Sequence, residues 1–455
     1  MVNEMKIVVI GCGNVGKSIT KRLCEEGHEV TVIDSSQEVI KDISYSQDVI
    51  GVIGNGAGYS VQMEAGVDKC DLLIAATDSD EINLLSCLFA KRAGNCKTIA
   101  RVRNPLYRDE AAYIKEELAL SLIINPEYDT ATEMTRVLRF PSADKIDTFA
   151  NGKVELLKFA VSKGSILHGK SLLEVGKTTK SKVLICAVLR EDKVYIPYGG
   201  FILNEGDIVA IIAKPQDARK FFEWIKVDTH HVKDTLIVGG GKIAFYLANQ
   251  LIKSGIDVKI IESDKDRCNE LSELLPKATV INGDALNKGV LLEEGIKEAE
   301  SIVLLTGSDE SNVFLSLFAE KVSKAKIITK INKLGFMDIY TSLQSGSIMC
   351  PKSITSDNVL SYVRARQNTL GSNVETMVRV LDNRVEALEF KINKGSKAIG
   401  VPLMNLSMKR NILIACVNRG GNIIIANGQT VIEEEDTVVV ITDKAGLDDF
   451  EHILL

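Results

Sequence analysis

The sequence contains no long apolar run, no block of basic residues and no paired cysteine motif, and each absence argues against a class of protein. No stretch approaches the roughly 20 apolar residues of a membrane-spanning helix. The first residues, "MVNEMKIVVIG", lead straight into a strand pattern and not into a signal peptide. Lysine and arginine number 55 against 61 acidic residues, so a net charge of −6 without a basic face argues against nucleic acid as the main ligand. We expect a cytoplasmic protein.

The positions of the histidines and cysteines in the sequence do not suit catalysis or metal binding. The nine cysteines are scattered and include no C-x-x-C pair, so we expect them to be buried as small apolar residues. None of the five histidines follows a strand that would carry it to the carboxyl edge of a parallel sheet, and no His/Cys/Asp spacing resembles a metal-ligand set. The sequence therefore predicts neither a metal site nor an acid–base catalyst.

The most informative feature that is present is a duplication. The segment "KIVVIGCGNVGKSITKRLCEEGHEVTVIDSS" beginning at Lys6 is matched by "TLIVGGGKIAFYLANQLIKSGIDVKIIESD" beginning at Thr235. Each has an apolar strand, a glycine-rich turn, an amphipathic helix, a second strand and an acidic residue. The match continues in "LLIAATDSDEIN" and "IVLLTGSDESN". Alternating strands and helices of this kind predict two α/β domains, each with a doubly wound parallel sheet.

A second pair of segments follows the first. "VELLKFAVSKGSILHGKSL" from Val154 resembles "VEALEFKINKGSKAIGVPL" from Val385, and short β-rich stretches with Gly, Asp and Asn turns indicate small α+β domains. Periodicity lapses in "RFPSADKIDTFANGK" and "IKVDTHHVKD", which we interpret as joins. The predicted fold is two Rossmann-like domains, at residues 1–140 and 232–370, each followed by a small α+β domain, at 151–228 and 371–455.

The stretch "VIGCGNVGKSIT" satisfies two phosphate-binding patterns at once. Its glycines spell the G-x-G-x-x-G of a dinucleotide-binding fold, and its last residues complete the G-x-x-x-x-G-K-[ST] of a P-loop. A P-loop would use Lys17 on phosphates, Ser18 on Mg²⁺ and an acidic residue such as Asp78. The second copy has Phe245 where Lys17 stands, which favours the dinucleotide interpretation.

The acidic residue after the second strand indicates the ligand. Asp34 ends "HEVTVID" and Glu262 ends the equivalent strand, where a carboxylate binds both ribose hydroxyls and repels a 2′-phosphate. NAD(H) is therefore favoured over NADP(H), and ATP or ADP could occupy the same half-site. The alternative is a Rossmann fold that keeps its glycines for packing and binds nothing.

Taken together, these segments resemble the TrkA family of Trk potassium-uptake systems, which is built from tandem regulator-of-K⁺-conductance (RCK) modules. The resemblance rests on "VVIGCGNVGKSITKRL", "NGA", "AATDSDEIN", "ARVRNP" and "INPE", and on "GSILHGKSL" and "LNEGDIVAII" in the small domain, and it covers essentially the whole chain. It implies a nucleotide-binding regulatory subunit and not an enzyme. Such a subunit would be peripheral on the inner face of the plasma membrane, bound to a Trk-type membrane potassium channel or transporter subunit, as a homo-oligomer in a tetrameric ring of tandem modules. NAD(H), ATP or ADP would set its activity.

The resemblance also implies two sets of binding residues. The first set is Gly11, Cys12, Gly13, Asn14, Val15, Asp34, Asn55, Gly56, Thr77, Asp78 and Arg101. The second set is Gly239, Gly240, Gly241, Lys242, Ile243, Glu262, Asp284, Ala285, Thr306 and Lys330. Two positions depart from the family pattern. The first copy has Asn55 where the second keeps the acidic Asp284, and Lys330 replaces an arginine, which weakens fork-like phosphate binding.

Two further predictions stay open at this point. The segments "INPEYDTATEMTRVLRF" and "MCPKSITSDNVLSYVRAR", opened by Pro126 and Pro351, are candidate hinge or dimer helices, with core packing as the alternative. Their apolar faces comprise Met134, Val137 and Leu138, and Val359, Leu360 and Val363. An NAD-dependent oxidoreductase is the main alternative function, although no candidate acid or base supports it.

Overall fold

The computed structural model describes residues 4–94, 96–105, 107, 110–139, 146–150, 153–226, 232–333, 346–369, 374–381, 384–444, 447 and 449–455. These residues form two compact units. One comprises Met1–Thr135 and Val232–Leu360, and the other comprises Arg136–His231 and Ser361–Leu455. Residues 140–145 and 151–152 of the first predicted join, and 227–231 of the second, lie outside the described residues. The predicted domain limits at 140, 151, 228, 370 and 371 therefore stay predictions.

The first α/β domain is a six-stranded parallel sheet in the order β3-β2-β1-β4-β5-β6. Its inner strands are apolar on both faces because helices cover both sides, as expected of a parallel sheet. In chain order the elements are β1 (Lys6–Ile10), α1 (Asn14–Glu25), β2 (Glu29–Asp34), α2 (Gln37–Ser46), β3 (Ile50–Ile53), α3 (Tyr59–Glu64), β4 (Leu72–Ala75), α4 (Asp80–Ala93), β5 (Lys97–Arg101), α5 (Ala111–Glu117), β6 (Leu122–Ile124) and α6 (Pro126–Arg139).

The first small domain is a five-stranded antiparallel sheet in the order β10-β9-β11-β8-β7. A cluster of phenylalanines from its last helix packs against one face. Its elements are β7 (Ile146–Phe149), β8 (Val154–Ala160), α7 (Leu172–Thr178), β9 (Val183–Arg190), β10 (Lys193–Tyr195), β11 (Ile208–Ala213) and α8 (Pro215–Trp224).

The second α/β domain repeats the first, with the strand order β14-β13-β12-β15-β16-β17 and parallel pairing throughout. Its elements are β12 (Asp234–Val238), α9 (Lys242–Lys253), β13 (Asp257–Glu262), α10 (Lys265–Leu274), β14 (Thr279–Asn282), α11 (Lys288–Glu293), β15 (Ser301–Leu304), α12 (Asp309–Val322), β16 (Lys326–Lys330), β17 (Ser347–Met349) and α13 (Pro351–Thr369).

The second small domain has the sheet order β18-β19-β22-β20-β21, again antiparallel. Its strands are β18 (Val374–Val380), β19 (Val385–Lys391), β20 (Ile412–Arg419), β21 (Asn422–Ile425) and β22 (Thr437–Thr442). The predicted fold class, two Rossmann-like domains each followed by a small α+β domain, is confirmed.

Within the first unit, the two Rossmann domains pack through a reciprocal pair of helix contacts. Helix α1 of the first domain meets α13, where the hydroxyls of Ser18 and Ser356 lie 2.9 Å apart. Helix α9 of the second domain meets α6, where the rings of Tyr246 and Tyr128 make an edge contact at 5.4 Å. The two helices predicted from Pro126 and Pro351 are therefore present. Their expected apolar faces are buried: Met134, Val137, Leu138, Val359, Leu360 and Val363.

Within the second unit, the two small sheets share one apolar cluster, to which Phe149 and Cys186 contribute from one sheet and Ala415 and Ile441 from the other. All nine cysteines are free, and eight of them are buried, as expected. Across the described residues, no helix combines the length and the apolar character that crossing a membrane requires.

Candidate functional site

The first Rossmann domain has a cleft of about 940 Å³ at the carboxyl ends of its central strands. The sheet order reverses between β1 and β4, and ligands of open α/β sheets bind at such a reversal. Ten of the eleven residues predicted for the first site line this cleft. They are Gly11, Gly13, Asn14, Val15, Asp34, Asn55, Gly56, Thr77, Asp78 and Arg101.

The glycines of the first loop have separate roles. Gly11 has a φ of +86°, and a Cβ there would lie 2.7 Å from the backbone nitrogen of Thr77. A Cβ on Gly16 would lie 1.9 Å from the carbonyl oxygen of Gly11, so this glycine permits contact between helix and strand. Gly13 precedes α1 without any side-chain cap, and a Cβ there would meet nothing within 4 Å. The N-terminus of α1 therefore opens into the cleft with its first amides available to an anion.

Asp34 is held beside this loop by two backbone amides. One carboxylate oxygen accepts from the Cys12 amide at 2.8 Å, and the other accepts from the Ser36 amide at 2.9 Å. Cys12 is the predicted residue that does not line the cleft. Burial, and secondarily the charge of Asp34, raises the pKa of its thiol to about 12, so Cys12 takes part through its backbone only.

Two arginines, the buried Arg101 and the partly buried Arg103, form the opposite wall. Arg101 is 8% exposed, and its Nη1 donates to the carbonyl oxygen of Thr77 at 3.2 Å and to Asp78 at 3.3 Å. The Nε atoms of Arg101 and Arg103 have no hydrogen-bond partner among the residues that the structure describes. Burial, and then the neighbouring charge of Arg103, lowers the pKa of Arg101. The carboxylate of the partly buried Glu127 is 4.0 Å from each guanidinium, so it would share these two cations with the phosphates of a ligand.

Two residues that the sequence analysis did not single out hold this wall in position. The side-chain oxygen of Asn83 accepts from the amide and the hydroxyl of Thr77, at 2.8 and 2.7 Å, and its NH₂ donates to the carbonyl of Arg101 at 2.9 Å. Asp80 accepts from the amides of Arg103 and Asn104. The signal was present, because both residues recur in the two copies of the motif.

The second domain repeats this arrangement. Asn312 accepts from the amide of Thr306 at 2.9 Å and donates to the carbonyl of Lys330 at 3.0 Å. Asp309 accepts from the amides of Asn332 and Lys333. The segments "TDSDEIN" and "TGSDESN" are therefore connectors that tie the ends of two neighbouring strands together.

The second glycine loop has the same backbone arrangement as the first, but a different side chain contacts it. Gly239 has a φ of +99°, and Glu262 accepts from the amide of Gly240 at 2.6 Å. Burial opposes ionisation of Glu262, but hydrogen bonds from the amides of Asp264 and Gly240 outweigh it and hold its pKa below the usual range. Arg267 donates to the carbonyl oxygen of Gly240 at 2.7 Å. At the corresponding position the first copy has a valine, Val39, in the cleft wall.

The remaining residues of the second set lie around the same strand ends. Asp284 and Ala285 follow β14, whose last residue pairs with Glu262, and the side chain of Asp284 accepts from the amide of Leu286. The Nζ of Lys330 lies 3.4 Å from the carbonyl of Leu305, and burial lowers its pKa. A cavity of about 340 Å³ brings parts of both sets together, since it is lined by Asn14, Val15 and Arg101 and by Gly241, Lys242, Ile243 and Lys330.

The structure resolves the overlap of the two phosphate motifs. The ammonium of Lys17 pairs with Asp42 on α2, and the hydroxyl of Ser18 contacts Ser356 on α13. Neither side chain lines the cleft. The P-loop pattern is therefore incidental.

Family models match both halves of the chain. Residues 7–126 and 235–351 match the TrkA-N domain, and residues 156–226 and 387–455 match the TrkA-C domain. The chain belongs to the TrkA family.

TrkA-family relatives of similar length confirm this. The chain is 31% identical over 455 residues to the Trk system potassium uptake protein TrkA homolog 1 of Methanosarcina mazei, covering 98% of this chain and 99% of that protein. It is 29% identical to the Trk system potassium uptake protein TrkA of Halomonas elongata, covering 99% and 98%.

Among solved structures, the GsuK channel bound to NAD has a TM-score of 0.64 at 16% identity, covering 97% of this chain and 77% of that one. The GsuK RCK domain has a TM-score of 0.63 at 16% identity, covering 96% and 92%. These likenesses support the RCK fold.

Proposed function

We propose that this chain is the nucleotide-sensing regulatory subunit of a Trk-type potassium transport system. The observation that carries the proposal is the cleft at the first glycine loop, which an open helix N-terminus, a fixed carboxylate and two arginines line. The full-length TrkA relatives support the potassium-transport role. The GsuK channel, a structural relative solved with NAD bound, supports the choice of ligand.

The residues of the first cleft fit an adenine dinucleotide. Gly13 leaves room at the N-terminus of α1, where a pyrophosphate would supply the negative charge that helix termini favour. Asp34 would accept from ribose hydroxyls. Arg101 and Arg103 line the same cleft, and their positive charges would stabilise the phosphates. NAD(H) is our first assignment, and ATP or ADP is the second, since GsuK has also been solved with ADP bound.

Regulation requires that the ligand bind two conformations with different affinity. Glu127 lies in the first turn of α6, and its carboxylate is 4.0 Å from the guanidinium groups of both Arg101 and Arg103. Arg101 and Arg103 would divide their donors between Glu127 and ligand phosphates, which couples nucleotide binding to the position of α6. Because α6 packs on α9, the helix that follows the second glycine loop, the two sites are coupled in the same unit.

We further propose that the subunit assembles as a homo-oligomeric ring of tandem modules. Helices α4 and α12, which occupy equivalent positions, both expose large apolar side chains: Leu85 is 41% exposed, Phe314 64% and Leu317 40%. Exposed apolar patches of this kind mark protein interfaces. The ring would lie on the cytoplasmic face of the plasma membrane, held there by a membrane potassium channel or transporter subunit.

The proposed regulatory role is tested by reconstitution. A Trk-type membrane subunit in potassium-loaded vesicles is assayed for K⁺ flux with and without this chain, and with NADH, NAD, ATP or ADP added in turn. We expect flux to depend on both the chain and the nucleotide. Flux that ignores the chain would contradict the proposal, and steady oxidation of NADH with a small substrate would favour the alternative, an NAD-dependent oxidoreductase.

A further inference from the structure

Three buried cysteines lie in one core cluster of the first Rossmann domain: Cys70, Cys87 and Cys96. Cys70 lies just before β4 and Cys96 directly precedes β5, so both lie at the amino ends of their strands. The nucleotide cleft is at the carboxyl ends. The cluster is therefore separate from the candidate site described above.

The sheet places Cys70 and Cys96 close to each other. Leu72 pairs with Lys97 in the parallel ladder, and the amide of Lys97 donates to the carbonyl oxygen of Asp71 at 3.0 Å. This register sets the two cysteines diagonally across neighbouring strands, and both side chains lie in the same core cluster. Neighbouring strands lie about 4.8 Å apart, and a disulfide needs Cα atoms about 4.4 to 6.8 Å apart.

The second Rossmann domain provides an internal comparison. In the matching motifs Asp309 corresponds to Asp80, so the equivalents of Cys70 and Cys96 are Ala299 and Ala325, both packed against the corresponding core cluster. Packing at both positions is therefore satisfied by alanine. The first domain alone carries a thiol at each of the two positions.

We propose that Cys70 and Cys96 form a redox-reversible disulfide, with a hydroperoxide as the oxidant. The Cys96 thiolate attacks one oxygen of the peroxide, the O–O bond breaks, and hydroxide or alkoxide leaves with the electron pair. The Cys70 sulfur then attacks the resulting sulfenic acid, the S–O bond breaks, and the Cys70 proton leaves with the hydroxyl as water. Both sulfurs are oxidised and the peroxide is reduced. A dithiol reductant returns both cysteines to thiols by thiol–disulfide exchange and is itself oxidised to a disulfide.

The surroundings favour Cys96 as the attacking sulfur. The neighbouring thiol of Cys70, helped by the positive charge of Lys91, lowers the pKa of Cys96 against the effect of burial. The Lys91 ammonium lies 3.5 Å from the carbonyl oxygen of Cys96. The neighbouring thiol of Cys96, together with burial, raises the pKa of Cys70, as expected of a thiol that acts second. Cys70 is 9% exposed and Cys96 3%, so the peroxide has to enter the edge of the core to reach the Cys96 sulfur.

The test is to treat the folded, fully reduced full-length chain with hydrogen peroxide, block remaining thiols, and map disulfides by non-reducing peptide mass spectrometry. We expect one linkage, between the peptides carrying Cys70 and Cys96, with the loss of two hydrogens and full reversal by dithiothreitol. The chain unfolded before oxidation should lose this selectivity. Free thiols at both positions after treatment, or sulfinic acid at Cys96 without linkage, would overturn the proposal.

Matched variants test whether the disulfide forms between Cys70 and Cys96 and not through the neighbouring Cys87. Cys70→Ala and Cys96→Ala copy the residues of the second domain and should each abolish the linkage while leaving the fold intact. Cys87→Ser copies Ser316 of the second domain and should leave the linkage unchanged. A linkage that survives Cys96→Ala, or one that disappears in Cys87→Ser, would assign the reaction to other thiols and contradict the proposal.

Discussion

Arg101 and Lys330 end equivalent strands, β5 and β16, yet they differ in how they carry charge. Both reach back toward a carbonyl at the end of the neighbouring strand, at 3.2 and 3.4 Å. Burial lowers the pKa of each, but arginine stays charged at any pH that a protein tolerates, whereas a buried lysine can lose its proton. The two halves of the chain thus present a permanent cation and a titratable cation at the same place.

This difference predicts unequal pH dependence at the two sites. Because the pKa of Lys330 lies below the ordinary lysine value, its charge is lost as the pH rises toward that lowered pKa, and phosphate affinity at the second site should fall there. Affinity at the first site should stay constant in the same range. The measurement is ADP affinity from about pH 7 to about 10, in Asp34→Ala to isolate the second site and in Glu262→Ala to isolate the first.

The matched control is Lys330→Arg, which should remove the alkaline loss at the second site. Parallel pH profiles at the two sites, or a profile that Lys330→Arg leaves unchanged, would show that this lysine does not contact phosphate.

Among the elements, the turn between β4 and α4 has a concentrated set of buried hydrogen bonds. Asn83 is completely buried and connects β4 to β5 through Thr77 and the carbonyl of Arg101. The hydrogen bonds orient the backbone from which Arg101 and Arg103 reach into the cleft. A change in Asn83 should therefore affect both the stability of the domain and the geometry of the site.

We predict that Asn83→Ala destabilises the chain by about 2 to 3 kcal/mol, because it leaves the carbonyl of the buried Arg101 and the amide of the partly buried Thr77 without their partner. The midpoint of thermal unfolding should fall, and Asn312→Ala should have a similar effect through the second copy. Ser79→Ala, which removes the N-cap of α4 and an exposed hydrogen bond to Glu81, is the control and should cost about 1 kcal/mol. An unchanged midpoint in Asn83→Ala would contradict this role.

The sequence predicted most of the elements but few of the contacts between them. Continuous apolar strands, the two glycine loops and the acidic residues Asp34 and Glu262 identified the Rossmann domains, since these signals are local. The contacts of Ser18 with Ser356 and of Asn83 with Arg101 join distant parts of the chain, and no local pattern indicates the partner. The Lys17 motif shows the converse, because a local pattern fitted a P-loop while the packed helix turned its lysine toward Asp42.

Over the whole molecule, the duplication has produced two halves with the same fold. The side chains beside their two glycine loops differ. The first glycine loop faces an open cleft with Val39 in its wall, whereas Arg267 donates to the second loop. The halves share the connectors built on Asn83 and Asn312, and they share an exposed apolar helix. We therefore expect nucleotide sensing to be asymmetric and the proposed assembly to use both halves.

The exposed helices predict the effect of a surface substitution on assembly. Phe314→Glu places a charge on the apolar face of α12, so it should shift the particle to a smaller oligomer, measured by light scattering after size-exclusion chromatography. Glu320→Lys, on the same helix, is a charge-changing control at an exposed polar position and should leave the size unchanged. An oligomer that is insensitive to Phe314→Glu would place the interface elsewhere.

The central claim is that the cleft of the first Rossmann domain binds an adenine nucleotide, and calorimetric titration with NADH tests it most directly. Wild type should bind, and Asp34→Ala should lose at least about tenfold in affinity because the ribose hydroxyls lose their acceptor. Lys17→Ala should bind nearly as well as wild type, because Lys17 pairs with Asp42 outside the cleft. Equal binding by wild type and Asp34→Ala, or a complete loss in Lys17→Ala, would contradict the claim.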